Sequence, residues 1–263
     1  MIDVGISGIL GRMGRRIYRL IQERDDMRLK TAIEGPQSAH LQQPLSDVLD
    51  GSDDDVMIME GLQEPCDVVI DFSSPEGARH RAQECTKLST ALVVGTTGLE
   101  KLDRDRLASA GESIPVVAES NMSVGMNLLF ELAPELVKKL GESFDIEIVE
   151  HHHREKVDAP SGTALTLAEH VAEARELDPD QDIVYGRHGD VGPRSTDEIG
   201  IHAVRGGAEK GTHRLILSGD DESIEIKHTA LSRDVFARGA VRAAEFAAGA
   251  DPGFYSMQDV LNE

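Results

Sequence analysis

Ile2-Asp3-Val4-Gly5-Ile6-Ser7-Gly8-Ile9-Leu10-Gly11-Arg12-Met13-Gly14 opens the chain, and its reading decides the fold. Ile2–Ser7 is rich in β-branched residues and predicts a strand. Three glycines spaced three apart follow, and Arg15–Arg24 then carries Ile17, Leu20 and Ile21 at helical spacing. A strand that passes through a glycine turn into a helix suits a dinucleotide. The glycines let the backbone approach a pyrophosphate, which rests on the helix N-terminus. The spacing differs from the usual Gly-x-Gly-x-x-Gly, so by itself this turn also fits an ordinary strand–helix connection. Glu34 ends a predicted strand over Leu29–Glu34. A carboxylate there can accept hydrogen bonds from ribose hydroxyls and would repel a 2′-phosphate; a solvated strand end is the alternative. Gly35 supplies no cation beside it, although Arg12 and Arg15 are near in sequence. The expected cofactor is NADH and/or NADPH, with NADH favoured.

Working outward, strands are predicted at Val56–Glu60, Val68–Phe72, Ala91–Gly95 and Ile114–Ala118, with helices at Pro75–Lys87 and Glu100–Ala110 between them. Strands that alternate with helices imply a parallel sheet covered on both faces, and right-handed crossovers make it doubly wound. The carboxyl ends of such strands line the ligand crevice. Asp71-Phe72-Ser73, Gly95-Thr96-Thr97-Gly98 and Glu119-Ser120-Asn121-Met122 occupy those ends. After Asn121 the pattern changes. A helix is predicted over Asn127–Leu140 with Leu128, Leu129, Leu132, Leu136 and Leu140 on one side. Phe144–His151 alternates as a strand, and Ser161–Ala174 reads as a helix. Ile199–Val204, Thr212–Ser218 and Ser223–Ala230 read as strands, the last two joined at Gly219-Asp220-Asp221. Ala237–Ala248 is helical and Ala-rich, and Ser256-Met-Gln-Asp-Val-Leu follows toward the end. The expected fold is α/β: a Rossmann-like doubly wound parallel sheet domain plus an inserted α+β domain with an open mixed, mostly antiparallel sheet.

The chain has 263 residues, with 48 acidic against 27 basic side chains and a net charge of −21. Such a surface repels polyanions, and with aromatics at 3% and no Trp it lacks stacking platforms, so nucleic acid is not an expected partner. No apolar run is long enough for a membrane span and no signal peptide is apparent, which makes a cytoplasmic location the expectation. The spread of acidic residues and the excess of Arg over Lys read as a salt-adapted surface or as an ordinary acidic one. Cys66 and Cys85 form no metal or disulfide pattern and read as buried thiols.

Glu150-His151-His152-His153-Arg154-Glu155-Lys156-Val157-Asp158-Ala159-Pro160-Ser161-Gly162-Thr163-Ala164 carries the chemistry. Read as a strand, residues 144–153 send Ile146, Ile148, Glu150 and His152 to one face and His151 and His153 to the other. Alternating histidines do not chelate one ion readily, so no metal is expected. Lys156 is either a surface charge or part of the site. A helix started by proline follows. Ser161 reads as its N-cap, and the Gly162 and Thr163 amides face outward as ligands for an anion. Proton donors beside such a helix mouth suit a small anionic substrate.

These strings resemble the 4-hydroxy-tetrahydrodipicolinate reductase (dihydrodipicolinate reductase) family. The resemblance rests on Gly8–Gly14, Asp71–Gly77, Gly95–Gly98, Asn121–Asn127, Glu150–Ala164 and Phe236–Val241, in family order over essentially the whole chain. It implies a reduced nicotinamide delivering hydride to a dicarboxylic cyclic imine in lysine and diaminopimelate biosynthesis. It also implies His152 as the proton donor or acceptor, Lys156 as a second donor, and His153, Gly162 and Thr163 as holders of substrate carboxylates. Cofactor contacts would come from Gly8, Ile9, Leu10, Gly11, Arg12, Met13, Glu34, Gly95, Thr96, Thr97, Glu119, Ser120, Asn121 and Met122. A dinucleotide domain over residues 1–122 and 231–263, a substrate and oligomerisation domain over 123–230, and a homotetramer joined through the latter's sheet are implied too. Two positions depart from the pattern. Gly35 stands where some members carry a basic residue, and Glu119 where a small residue is common.

Overall fold

The computed structural model describes residues 1–262, and they form two compact units: Met1–Val124 together with the chain from Arg233 on, and Gly125–Ser232. In chain order the first unit contains β1 (Ile2–Ser7), α1 (Gly14–Gln22), β2 (Met27–Ile33), α2 (Leu45–Val48), β3 (Ile58–Met59), β4 (Val68–Asp71), α3 (Pro75–Leu88), β5 (Ala91–Val94), α4 (Lys101–Gly111) and β6 (Pro115–Ala118). The second contains α5 (Val124–Leu140, its first residue still in the first unit), β7 (Asp145–His152), α6 (Gly162–Ala174), α7 (Pro179–Asp182), β8 (Ile183–Tyr185), β9 (Ile199–Arg205), β10 (Thr212–Ser218) and β11 (Ser223–Thr229). The chain then returns to the first unit as α8 (Asp234–Gly249), β12 (Gly253–Tyr255) and α9 (Met257–Leu261). Among the described residues no helix is long and apolar enough to cross a membrane.

The first unit is a seven-stranded sheet in the order β12-β6-β5-β4-β1-β2-β3, parallel throughout. Its central strands are buried on both faces, so Val68-Val69-Ile70 and Ala91-Leu92-Val93-Val94 are continuous apolar runs rather than alternating ones. Helices α1 and α8 cover one face and α3 and α4 the other. The strand order reverses between β1 and β4, and a parallel sheet opens its ligand crevice at such a point. Cys66 and Cys85 are buried free thiols; burial pushes the Cys66 thiol up to about 11.

The second unit is a mixed five-stranded sheet, β11-β10-β7-β9-β8. Strands β7, β10 and β11 pair antiparallel, and β7–β9 and β9–β8 pair parallel. Alternation along β7 builds the inner face in rows. Ile146 lies beside Ile199 and Leu217, and Ile148 beside Ile201 and Leu215; α5 and α6 cover these apolar rows. The next row is Glu150, Ala203, His213 and His228, and beyond it come His152 and Arg205. The core therefore ends in a layer of titratable side chains.

Helix α5 differs from its expected orientation. It buries Met126, Asn127, Leu129, Phe130, Ala133 and Val137, while Leu128 and Leu132 are 47% and 45% exposed. Small Ala133 and polar Asn127 occupy inward positions, and the exposed leucines had shifted the apparent stripe.

Candidate active site

In the first unit the glycine turn is built as a close approach of backbone to backbone. Gly8 has φ +77°, and a Cβ on it would come 2.6 Å from the Phe72 carbonyl oxygen. A Cβ on Gly14 would strike the Gly8 carbonyl and lie 2.6 Å from Ile9 Cα. No side chain caps the start of α1, whose first turn carries no acidic residue. These features fit a pyrophosphate, since that end of the helix favours an anion. Ile9 and Met122 are core side chains, so only their backbone is left to meet a ligand. Leu10 and Met13 are partly buried against the core, and Gly11 and Arg12 are exposed.

Glu34 is not a free strand end. Its Oε1 accepts the Leu10 backbone N–H at 2.6 Å, tying the end of β2 to the glycine turn. Glu34, Glu60, Glu76 and Glu84 line a pocket of about 290 Å³ with His80 and Arg81. Arg81 lies 3.1 Å from the Glu84 carboxylate and donates from Nη2 to the Glu60 carbonyl at 3.3 Å, while its Nε and Nη1 are buried with no hydrogen-bond partner among the described residues.

At the ends of β4 and β5, buried Asp71 accepts from the Thr96 hydroxyl at 2.5 Å and from the Ser73 hydroxyl at 2.8 Å. The Thr96 side chain is thus spent on loop architecture, while Thr97 is exposed. Gly95 is needed by the protein itself, because the Phe72 ring occupies the space a Cβ would take. Glu119 folds back to accept the Ser120 N–H at 2.9 Å, and Asn121 accepts the Ser123 N–H at 2.9 Å. The half-buried Glu119 carboxylate is therefore held by its own loop.

In the second unit Glu150 is fully buried and organises the site. Its Oε2 lies 2.7 Å from His152 Nδ1, and Arg205 grips both carboxylate oxygens at 2.7 Å each. The Ser161 backbone N–H donates to Oε1 at 3.0 Å. Burial pushes the Glu150 carboxyl up, but hydrogen bonds from His152, Arg205 and Ser161 outweigh it and hold the group at about 2. Arg205 also donates to the Asp158 carbonyl at 2.6 Å, which ties the 153–160 loop to the sheet. The His213 ring meets His152 edge-on, with centroids 5.2 Å apart. Burial, then the charge of His152, drives His213 down to about 3, so it stays neutral.

Ser161 caps α6, accepting the Ala164 N–H at 3.2 Å, and its hydroxyl lies 3.1 Å from His213 Nε2. Pro160 does not start the helix as expected; it precedes the cap, after a cis peptide bond. Gly162 is exposed, and a Cβ there would meet nothing within 4 Å. Lys156 Nζ pairs with Asp158 at 2.8 Å, and its backbone N–H donates to the His153 carbonyl at 3.1 Å, in the loop that leaves β7. His153 Nδ1 is buried with no partner among the described residues. The structure thus brings His152, Lys156, His153, Gly162 and Thr163 to one end of the five-stranded sheet. Sequence reasoning missed Arg205, His213 and the role of Glu150, because their meeting depends on strand register. A lone Glu two residues before a His on one strand face was the available signal.

A doubly wound sheet with a glycine turn beside its switch point, in one chain with a sheet that ends in a carboxylate–imidazole pair, places the protein among the two-domain dinucleotide-dependent oxidoreductases. The profile described as "Dihydrodipicolinate reductase, N-terminus" matches residues 2–122, and "Dihydrodipicolinate reductase, C-terminus" matches residues 125–261. The chain belongs to the dihydrodipicolinate reductase family. Among its relatives are 4-hydroxy-tetrahydrodipicolinate reductases of Methanopyrus kandleri, 45% identical over 271 residues (99% of this chain, 97% of the relative), and of Syntrophotalea carbinolica, 43% identical over 264 residues (99% of each). A solved dipicolinate-bound dihydrodipicolinate reductase from Paenisporosarcina sp. TG-14 shares the fold, with a TM-score of 0.73 at 21% identity and 97% coverage of both chains.

Proposed function

We propose that His152 transfers the proton, and Lys156 a second one, in the reaction of this family. That reaction is the NAD(P)H-dependent reduction of 4-hydroxy-tetrahydrodipicolinate to tetrahydrodipicolinate in lysine biosynthesis, and this chain is a reductase of that kind. The substrate enters hydride transfer as its dehydrated cyclic imine. The nicotinamide supplies the hydride when bound. The protein supplies protons and charge. The observation that carries the reading is the buried contact of His152 Nδ1 with Glu150, which leaves Nε2 as the nitrogen able to exchange a proton with a ligand. The Lys156 ammonium offsets the negative charge of a dicarboxylate, and protonation of the ring makes it a better hydride acceptor. Gly162 and Thr163 at the α6 N-terminus, with His153, hold a carboxylate.

Cofactor contacts come from the turn Gly8–Met13, from Gly95, Thr96 and Thr97, and from Glu119, Ser120, Asn121 and Met122. The free oxygen of Glu34 faces a ribose hydroxyl. Four carboxylates line the Glu34 pocket against a single arginine, and this excess of negative charge disfavours a 2′-phosphate, so NADH is preferred. The assembly is a homotetramer joined through the five-stranded sheet. In support, its outer face carries Val149, Ile216 and an exposed Val204.

The test is a coupled assay in which the preceding synthase supplies fresh substrate and oxidation of NADH and NADPH is followed. The parent turns over with the higher kcat/KM on NADH. His152→Gln and Lys156→Ala each lose about 100-fold or more in kcat with little change in NADH affinity. Parent-like turnover in both variants removes the proton-transfer assignment, and tighter binding of NADPH removes the cofactor preference.

A further inference from the structure

We propose that Glu150, pinned by Arg205, is the positioning residue that decides which nitrogen of His152 carries the exchangeable proton. The proposal rests on the reading of His152 as the proton-handling group. An ionised carboxylate can only accept hydrogen bonds. With Oε2 at 2.7 Å from Nδ1, that nitrogen must be the donor. The neutral ring then has its lone pair on Nε2, and the charged ring has its labile proton there. Proton balance is simple: the Nε2–H bond breaks as a bond from the proton to the substrate forms, the electron pair stays on Nε2, and the proton on Nδ1 stays there, hydrogen-bonded to Glu150. Solvent returns the proton after product leaves.

The carboxylate cannot turn away, because three elements hold it. Arg205 on β9 engages both oxygens, Ser161 at the head of α6 donates to Oε1, and β7 carries it with no exposed surface. His213 on β10 sets the ring plane from the side. Gly211, at φ +146°, leaves room beside Nε2; a Cβ there would approach to 3.0 Å. Arg205 has a second effect. Its guanidinium neutralises the carboxylate, so Glu150 orients the ring without locking in the imidazolium as a bare anion would. The charged or titratable groups acting on the neighbouring His213 include His228 on β11 and Lys156 in the following loop, where Lys156 pairs with Asp158.

The test uses the full chain labelled with 15N-histidine. His152 signals are assigned by their loss in His152→Gln, and steady-state rates are measured across pH. In the parent, neutral His152 carries its proton on Nδ1. In Glu150→Gln two fixed donors, Arg205 Nη2 and the Ser161 N–H, meet the Oε1 position against one, Arg205 Nη1, at Oε2, where Nη1 keeps the Val204 carbonyl; the amide oxygen therefore takes the Oε1 position, and the amide NH2 faces Nδ1 and moves the proton to Nε2. There kcat falls about 100-fold with KM changed less than about threefold, and the limb of the pH profile that vanishes in His152→Gln moves to lower pH. Glu150→Asp recovers part of the rate. In Arg205→Met the tautomer is kept and the same limb moves to higher pH. An Nε2-protonated parent ring overturns the proposal, and this result does not depend on how any variant folds. So does a Glu150→Gln enzyme that keeps its rate, or one that loses rate only with its melting temperature and leaves the limb in place. Undiminished turnover in His152→Gln overturns the proton-transfer reading instead, while the parent's tautomer still reports on Glu150.

Discussion

A methyl group added at Gly162 meets nothing within 4 Å, whereas one added at Gly239 falls on the Met122 carbonyl oxygen. The two glycines are therefore kept for different reasons. Gly239 lets α8 lie directly against the segment that follows β6, and no side-chain adjustment relieves a clash with backbone. Gly162 has room, so only a ligand at the mouth of α6 penalises a Cβ there. Gly162→Ala is expected to melt within a degree or two of the parent, since Ala is the better helix residue, while KM for the imine rises about tenfold. Gly239→Ala is expected to lose about 1–3 kcal/mol of stability, the usual cost of overpacking. Melting curves and KM on the two variants check this. A destabilised Gly162→Ala with unchanged KM contradicts the placement of an anion at that helix.

Helix α6 concentrates the fold's dependence on distant partners. Ser161 caps it locally through the Ala164 N–H, and its hydroxyl also lies 3.1 Å from His213 Nε2, 52 residues away. Ser161→Ala removes a cap, worth about 1 kcal/mol, and leaves a buried ring nitrogen without its partner, worth about 1 kcal/mol more. The combined loss is expected to lower the melting temperature by about 5 °C. Ser161→Thr, which keeps the hydroxyl, recovers most of it; a Thr variant as unstable as Ala rules out the hydroxyl as the cause. The same helix shows what the sequence can disclose. Ser161 as cap and the glycine turn after β1 were legible because their chemistry is local. The central parallel-sheet strands were legible because apolar runs between turns have few other uses. Strands β8 and β12 were not, since three residues are too few to show a period. The α5 stripe was misplaced because large exposed leucines outweighed a buried Ala133. Arg205 was invisible as a partner of Glu150 because only the parallel pairing of β7 with β9, which sets Arg205 opposite His152, brings it one row from Glu150 on the same face.

Over the whole molecule the decisive quantity is charge. With 48 carboxylates and 27 cations, ion pairing cannot neutralise the surface, and the net charge is −21. Two effects of added salt oppose each other. Screening weakens exposed pairs such as Arg28–Asp3 and Arg24–Asp26, which contribute little to begin with. Screening also relieves repulsion among the unpaired carboxylates, which acts over the whole surface when the Debye length is about 10 Å at 0.1 M and fades when it is about 3 Å at 1 M. The buried Glu150–Arg205 contact is little affected because salt does not reach it. With so large an excess of one sign, repulsion is the greater term. The melting temperature is therefore expected to rise between 0.1 and 1 M KCl and to flatten beyond, with NaCl giving the same curve at equal ionic strength. A midpoint that falls with salt would show that surface pairs outweigh the net charge, and one that climbs only with sulfate would assign the effect to solute exclusion rather than screening.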